Sequence, residues 1–216
     1  MSRILALFQE QLQSIHAVRV AGHVEDYLVS PAGLVALGTR VNAPEELLVL
    51  QDGGGLELGL YIDPAVLQDL AGSPPPLALL LGRLLPSYCA AAEGVSHWLY
   101  LSHRAERDQT VSLLELEVQA EVDKFASCAL GLWQLGLTRL CRSLRERLFD
   151  GVRYLAHLDP LERERYATAN RLARDYARFL ERRYVLPRDL DGFLRELRSS
   201  FRLGGGEKYA RLALAG

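Results

Sequence analysis

The opening segment of the chain repeats apolar residues at helical spacing. These positions are Ile4, Leu5, Phe8, Leu12 and Ile15. The spacing predicts an amphipathic helix that ends at the last of them. The period then shortens to two, because Val18 and Val20 alternate with polar neighbours. The stretch 27–37 carries Pro31 and Gly33 between apolar residues, so we expect two strands about a turn there.

The clearest hairpin pattern comes next. An apolar run at 47–50 leads into Asp52-Gly53-Gly54-Gly55, and apolar residues then alternate with others from 56 to 62. Alternation around a glycine-rich turn predicts two antiparallel strands that share one apolar face. Asp63 followed by Pro64 predicts the N-cap and the first position of a short helix.

The proline-rich segment 72–76 is the best candidate boundary in the chain. Three prolines follow Gly72 and Ser73, and prolines end a helix and stiffen a link. We predict an N-terminal α/β-hairpin lobe over 1–72 and a C-terminal helical bundle over 77–216. The two parts are also compatible with one continuous domain.

Everything after this boundary has helical patterning. The predicted helices cover 77–85, 86–104, 112–135, 137–150, 159–184, 188–199 and a last segment after 206. Capping-box sequences, Ser112 with Glu115 and Asp159 with Glu162, mark two of the starts. The whole pattern predicts a predominantly helical α+β fold, with a small helix-plus-antiparallel-hairpin lobe packed on the helical bundle.

Composition agrees with a globular protein of ordinary type. The chain has 216 residues, of which 49% are apolar and 24% are charged. These proportions exclude collagen-like, disordered, coiled-coil and disulfide-scaffold classes. Cys89, Cys128 and Cys141 form no Cys-x-x-Cys pair, so we expect buried free thiols and a cytoplasmic location. The longest uncharged run, 125–138, is shorter than the ~18 residues of a membrane span, and we expect no membrane contact.

The most unusual predicted helix is the one that contains Glu93 and His97. Its segment 89–101 is otherwise made of small and apolar residues, with Ser96 as the remaining strongly polar side chain. Such a helix is expected to be buried almost all round. Glu93 and His97 are four positions apart and therefore project from one face. Buried ionisable groups must be paired, neutralised or bound to a metal ion.

The next helix offers further polar groups on one face, namely Glu117, Glu121 and Lys124. A short loop joins the two helices, so we expect them to pack as neighbours. Glu93, His97, Glu117 and Glu121 then become candidate ligands of a divalent metal ion. Glu93, His97, Glu121 and Lys124 are the corresponding candidate catalytic residues. The arrangement is similar in ligand type to carboxylate-rich metal sites of helical bundles, although its spacing differs from theirs.

A purely structural polar network explains the same residues without a ligand. Glu121 and Lys124 make an ordinary pair within one helix. Glu93 would bond an arginine of the helix 159–184, and His97 would bond a backbone carbonyl. The structural network, a metal or acid–base site, and a small-ligand pocket are alternatives that the sequence alone leaves open.

The second half of the chain is rich in arginine. Residues 1–100 carry 4 Arg and 10 acidic residues, whereas residues 101–216 carry 21 basic and 17 acidic residues. A possible phosphate-binding strip on the helix 159–184 comprises Arg163, Arg171, Arg174, Arg178 and Arg182. Acidic residues interleave with it and no RNA-binding aromatic pattern accompanies it. We therefore expect a solvated face and do not expect nucleic acid as the main partner.

The sequence contains no complete catalytic motif and no cofactor fingerprint. Our first functional hypothesis is a non-enzymatic, cytoplasmic interaction or accessory protein that binds a protein partner or associates with itself as a homodimer. Its surface would be the hairpin edge at 56–62. The alternative is a metal-dependent enzyme or sensor built on the Glu/His cluster. A second alternative is nucleic-acid binding through the arginine-rich C-terminal helices.

Overall fold

The computed structural model describes residues 3–41, 43–52, 55–72, 76–152, 154 and 158–214. The strands are β1 Glu45–Asp52 and β2 Gly55–Ile62. The helices are α1 Arg3–His16, α2 Pro31–Ala36, α3 Pro64–Leu70, α4 Pro76–Leu80, α5 Leu85–Ala105, α6 Leu113–Gln134, α7 Cys141–Phe149, α8 Pro160–Leu180, α9 Leu190–Arg202 and α10 Gly205–Leu214. The predicted class, a predominantly helical α+β fold with one antiparallel hairpin, is confirmed.

The hairpin has the predicted pairing, with Glu45 opposite Ile62. Burial increases along β2 from an exposed turn end to a buried far end. At that far end the Leu60 carbonyl accepts a hydrogen bond of 2.9 Å from the backbone N–H of Val29. The predicted interaction edge at 56–62 is therefore covered at its Ile62 end and more exposed at its Leu56 end. Glu45 lies at the buried end and is carried toward the core.

The prediction of two strands within 27–37 is wrong. The chain forms a 3₁₀ helix at Val24–Tyr27 and α2 at Pro31–Ala36 instead. Ser30 is the N-cap of α2, and its hydroxyl accepts a hydrogen bond of 3.1 Å from the Gly33 N–H. Proline at the first helical position fixes a compatible φ. This local capping outweighs the short alternation of apolar residues.

The longer helices begin where their capping residues predict. Both capping boxes are formed, at Ser112 of α6 and at Asp159 of α8. The predicted helix 77–85 is shorter than expected, because α4 ends at Leu80. The helix from 159 runs to Val185, its last turn widened into a π-helix at Glu181–Val185. Within the part of the chain that the structure describes, no helix combines the length and apolarity needed to cross a membrane.

A single large apolar cluster unites the hairpin, α1 and the helical bundle. It contains Leu5 and Phe8 of α1, Leu60 of β2, Trp98 of α5 and Phe125 of α6, all of them buried. The central element is α5, which contacts α1, α3, α6 and both strands. The division into 1–72 and 77–216 stays a prediction about folding units. The residues 73–75 of the predicted boundary lie outside the described residues.

Gly94 allows the hairpin to approach α5 closely. A Cβ atom at this position would lie 2.7 Å from Ile62 Cδ1, 3.1 Å from Leu60 Cδ1 and 3.3 Å from Glu45 Oε2. Such distances leave no space for a side chain. The absence of a Cβ here brings Glu45 beside the polar residues of α5.

The three cysteines are free thiols within the described structure. Cys128 and Cys141 are buried, and Cys89 is half-buried. Burial raises the pKa of the Cys141 thiol to about 12. A thiol with so high a pKa is a poor nucleophile at neutral pH, so Cys141 contributes packing rather than chemistry.

Candidate functional site

The candidate site lies where α5, α6 and the start of β1 meet. Glu93 and His97 project from one side of α5, as their spacing predicts. Glu117 comes from the first half of α6. One potential ligand atom from each of these three side chains lies within 4.8 Å of the other two. The structure thus brings together three of the four predicted metal ligands.

His97 is held between two carboxylates without a direct hydrogen bond to either. Its Nδ1 lies 3.6 Å from Glu45 Oε2, and its Nε2 lies 3.7 Å from Glu117 Oε2. Both distances exceed the 2.7–3.2 Å that is typical of such bonds. His97 Nε2 and Glu45 Oε2 are also buried without a hydrogen-bond partner. Among the described residues, the imidazole bonds no backbone carbonyl, so the network there differs from the one the sequence suggested.

Lys124 occupies the other side of the cluster. Its Nζ donates to Glu93 Oε2 at 2.8 Å and to Glu121 Oε1 at 3.0 Å. Glu121 is therefore engaged in the intrahelical pair that its spacing indicates, and it does not belong to the group of three. Its role as a ligand, like that of Lys124 as a catalytic residue, stays a prediction.

Glu45 and Arg165 belong to the site but were not predicted. Glu45 stands at the first position of β1, and the sequence shows it only as one of two acidic residues before an apolar run. Arg165 lies on α8 with its Nε 3.6 Å from Glu117 Oε1. The arginine of this helix thus faces Glu117, whereas the sequence had suggested that it would bond Glu93. Both additions come from elements distant in sequence from α5.

The cluster is strongly coupled by charge. Four carboxyl groups, those of Glu45, Glu93, Glu117 and Glu121, share this cluster with His97 and with the cations Lys124 and Arg165. With every carboxyl ionised and the imidazole neutral, these groups carry a net charge of about −2. A divalent cation would balance that charge.

The pKa values within the cluster follow this arrangement. Burial disfavours the protonated imidazole, but Glu45 first and then Glu117 and Glu93 raise the pKa of His97 to about 9. Burial raises the pKa of Glu117 to about 7, with His97 and Arg165 acting against it. Burial also raises the pKa of Glu45. In the absence of another cation, protons compensate the excess negative charge.

Glu93 behaves differently because of its neighbour Lys124. Burial acts to raise the pKa of Glu93, yet the charge of Lys124 holds it below its ordinary value. Burial likewise opposes the charge of Lys124, whereas Glu121 and Glu93 raise its pKa well above the ordinary value. The ion pair therefore keeps one carboxylate of the group ionised over the physiological range.

Two hollows give access to the cluster. One has a volume of about 410 Å³ and is lined by residues that include Glu45, His97, Glu117 and Arg165. The other has a volume of about 240 Å³ and is lined by residues that include Glu45, Glu93 and Tyr154. The larger one reaches the size of pockets that hold small molecules. His97 and Glu117 are thus buried yet adjacent to space that a small ligand can enter.

The side chains present fit a divalent metal ion. Carboxylate oxygens and imidazole nitrogens bind such ions at about 2.0–2.2 Å, so two ligands of one ion lie about 3.0–3.5 Å apart. The 3.7 Å between His97 Nε2 and Glu117 Oε2 is close to that separation. Glu45 faces the opposite nitrogen, which is where a carboxylate orients a metal-binding histidine. Three protein ligands also leave a coordination position for water or substrate.

A second buried polar cluster surrounds Asp123 of α6. Its carboxylate accepts hydrogen bonds from His16 Nε2 at 2.7 Å, Ser96 Oγ at 2.6 Å and Gln119 Nε2 at 2.8 Å. The Asp123 carboxylate lies between the His16 imidazole and the Ser96 hydroxyl. A catalytic triad needs the imidazole next to the serine hydroxyl, where it removes the proton. This cluster therefore ties α1, α5 and α6 together structurally.

Comparison with known proteins adds no family to this description. No protein-family model, no curated protein and no solved structure matches the chain.

Proposed function

We propose that the protein binds a divalent transition-metal ion through Glu93, His97 and Glu117 and uses it to activate water in a metal-assisted reaction. The proximity of these three side chains in a buried cluster beside an open cleft carries this proposal. Metal-bound water loses a proton far more readily than free water. The cleft supplies space for a substrate next to the ion.

The neighbouring groups have definite roles in this proposal. Glu45 orients the imidazole from the Nδ1 side, and Lys124 fixes Glu93 by bonding its Oε2. Arg165 lies at the cleft and within 3.6 Å of Glu117. A guanidinium in that position is suited to stabilise negative charge that develops on a substrate. The substrate class stays open, because the cleft is lined by both acidic and basic groups.

We expect the purified, untagged protein to bind close to one equivalent of Zn²⁺ or Mn²⁺. His97→Ala and Glu117→Gln each remove a direct ligand, so they are expected to weaken binding by more than the about 10–100-fold that the loss of an outer-shell partner causes. Glu121→Gln is the matched control, one helical turn away, and should retain the metal. Elemental analysis and calorimetric titration with each ion measure these affinities.

A second readout separates a reactive centre from a purely structural one. The Mn²⁺-loaded protein should enhance the relaxation of solvent protons, because an open coordination position exchanges water. Loss of metal in Glu121→Gln equal to that in Glu117→Gln would contradict the three-ligand assignment. If the protein takes up no metal and His97→Ala only lowers the melting temperature, the metal site is contradicted and the cluster is a structural polar network.

Self-association is a second candidate function. It is favoured by apolar exposure on the hairpin, where Val49 is 49% and Leu50 is 60% exposed. Among the described residues, the outer edge of β1 pairs with no further strand, and such an edge can pair with a second copy. We expect light scattering to show a concentration-dependent dimer that Leu50→Lys abolishes. A monomer at all concentrations would contradict this candidate without affecting the metal site.

A further inference from the structure

A second cleft, with a strongly basic lining, lies at the C-terminal end of α5. It has a volume of about 430 Å³ and lies between the ends of α1, α5 and α9. Its polar lining residues are Arg19, His103, Arg104, Arg107, Gln109 and Arg202. No acidic side chain of the described residues lines it. His103 is six positions after His97 on α5, so the two clefts are about 9 Å apart along the helix axis.

Two of the lining side chains are buried with polar atoms that have no partner. Arg104 is 9% exposed and His103 is 6% exposed. Arg104 Nε and His103 Nδ1 make no hydrogen bond. The Arg104 guanidinium and the Glu115 carboxylate both lie beside Gly204, but among the described residues they form no direct ion pair. A buried guanidinium without a counter-ion in direct contact is costly, and a bound anion reduces that cost.

Hydrogen bonds to backbone carbonyl groups use only some of the N–H donors of these arginines. Arg107 Nη1 donates to the His103 carbonyl at 2.8 Å, and Arg202 Nη1 donates to the Arg198 carbonyl at 2.9 Å. Arg104 Nη2 makes a long bond of 3.5 Å to the Thr110 carbonyl. A guanidinium has five N–H donors. Most of these donors therefore have no partner among the described residues and can bind a ligand.

Two acidic residues stand near the cleft, and both are already engaged. Glu115, whose Oε1 lies with the Arg104 guanidinium beside Gly204, accepts hydrogen bonds from the Ser112 N–H and hydroxyl through its Oε2. Glu106 Oε1 accepts a hydrogen bond of 2.7 Å from the Ala21 N–H, and Glu106 Oε2 lies 3.7 Å from Arg107 Nη1. Burial and the neighbouring arginines act in the same direction on His103. Burial first, and then the charges of Arg107, Arg104 and Arg202 against that of Glu106, lower the pKa of His103 to about 4.

We propose that this basic cleft binds a phosphate group, either inorganic phosphate or the phosphate of a small phosphomonoester. Planar guanidinium groups bind phosphate oxygens in pairs, which makes arginine the usual residue for such recognition. The cleft volume suits a small molecule. Its arginines converge from three helix ends on one cleft, which favours a compact ligand over an extended nucleic-acid backbone. The site is separate from the metal-binding proposal and does not depend on it.

The test is calorimetric titration with inorganic phosphate at low ionic strength. Arg202→Gln, an exposed position, should weaken binding by about 10-fold or more, which is the loss of one charge-assisted contact. Arg104→Lys keeps the charge but loses the paired donors and should also weaken it. Arg195→Gln is the matched control, because Arg195 is exposed on the same helix, α9, away from the cleft.

The His103 ring gives an independent readout. A bound phosphate should raise the pKa of His103 in the wild-type protein, as followed by NMR, and Arg202→Gln should reduce this change. A phenyl phosphate titration then distinguishes a phosphomonoester ligand, which binds more tightly than inorganic phosphate, from the free ion. Equal binding by Arg202→Gln and Arg195→Gln would overturn the proposal. Salt-sensitive binding to single-stranded RNA without saturable phosphate binding would also overturn it, and would identify the cleft as part of a nucleic-acid-binding surface.

Discussion

Asp123→Ala is expected to destabilise the protein by about 3–5 kcal/mol, the largest effect of any single substitution considered for this fold. Asp123 is fully buried. Its removal leaves three donors, on His16, Ser96 and Gln119, without their acceptor. Unpaired buried polar groups cost far more than the hydrogen bond contributes when formed. Urea denaturation of the variant and the wild type measures the difference.

Two milder substitutions test whether the loss belongs to the whole network. Ser96→Ala removes one of the three donors and should cost about 1 kcal/mol. Asp123→Asn keeps the shape of the side chain but lacks the charge. Its destabilisation should lie between those of Ser96→Ala and Asp123→Ala. A loss for Asp123→Ala no greater than that for Ser96→Ala would show that the buried carboxylate is not the centre of this network.

Lys208→Met is expected to stabilise the protein at pH 6 and to lose that advantage as the pH rises. Lys208 is 1% exposed, and burial lowers its pKa to about 7, with Asp123 and Glu115 acting against burial. In the unfolded chain its pKa is about 10.4. Between these values only the unfolded chain retains the proton, so raising the pH stabilises the folded state. Below pH 7 the folded protein carries the full cost of the buried charge.

The size of the effect follows from the separation of the two pKa values. The stability of the wild type relative to Lys208→Met should rise by about 1.4 kcal/mol per pH unit above pH 7, and by at most about 4 kcal/mol up to pH 10. Taking the difference between the two proteins cancels the titration of other groups, including His97. A difference that does not vary with pH would contradict the prediction.

Direct titration of the amine provides a check without unfolding. Lys124 and Lys208 are the only lysines of the chain, so labelling lysine with ¹³C at Cε yields two side-chain signals. The Lys208 signal should titrate near pH 7, and it should be absent in Lys208→Met. Tyr100→Phe removes the hydroxyl that Nζ contacts at 3.0 Å, and the low pKa should persist because burial causes it.

Local sequence signals predicted much of the helical architecture. The capping boxes at Ser112 and Asp159 are formed, and the hairpin turns where the glycines indicate. Such signals work because they act over three or four residues and need no tertiary partner. The prediction of two strands over 27–37 was wrong, because so short an alternation of apolar and polar residues does not outweigh one N-cap residue and one proline. Short alternations are decided by local hydrogen bonds.

The candidate site was predicted only in its helical part. Glu93 and His97 could be paired from their spacing, and the neighbouring α6 brought Glu117. Glu45 and Arg165 reach the site from β1 and α8, and no local pattern specifies which face of those elements turns inward. The hypothesis of an interaction protein rested on the absence of motifs. The proximity of three ligand side chains is what now favours the metal centre as the first proposal.

The attachment of α1 has a consequence for the order of folding during synthesis. Arg198 Nε of α9 donates to the Ile15 carbonyl at 3.1 Å across 183 positions of sequence. Translation at 5–20 residues per second places roughly 10–40 s between the synthesis of these two segments. Over that interval α1 lacks its neighbour α9, whereas α5, whose Tyr88 ring packs edge-on against Phe8, is already synthesised. During co-translational folding α1 therefore docks on α5 first, and its contact with α9 is made last.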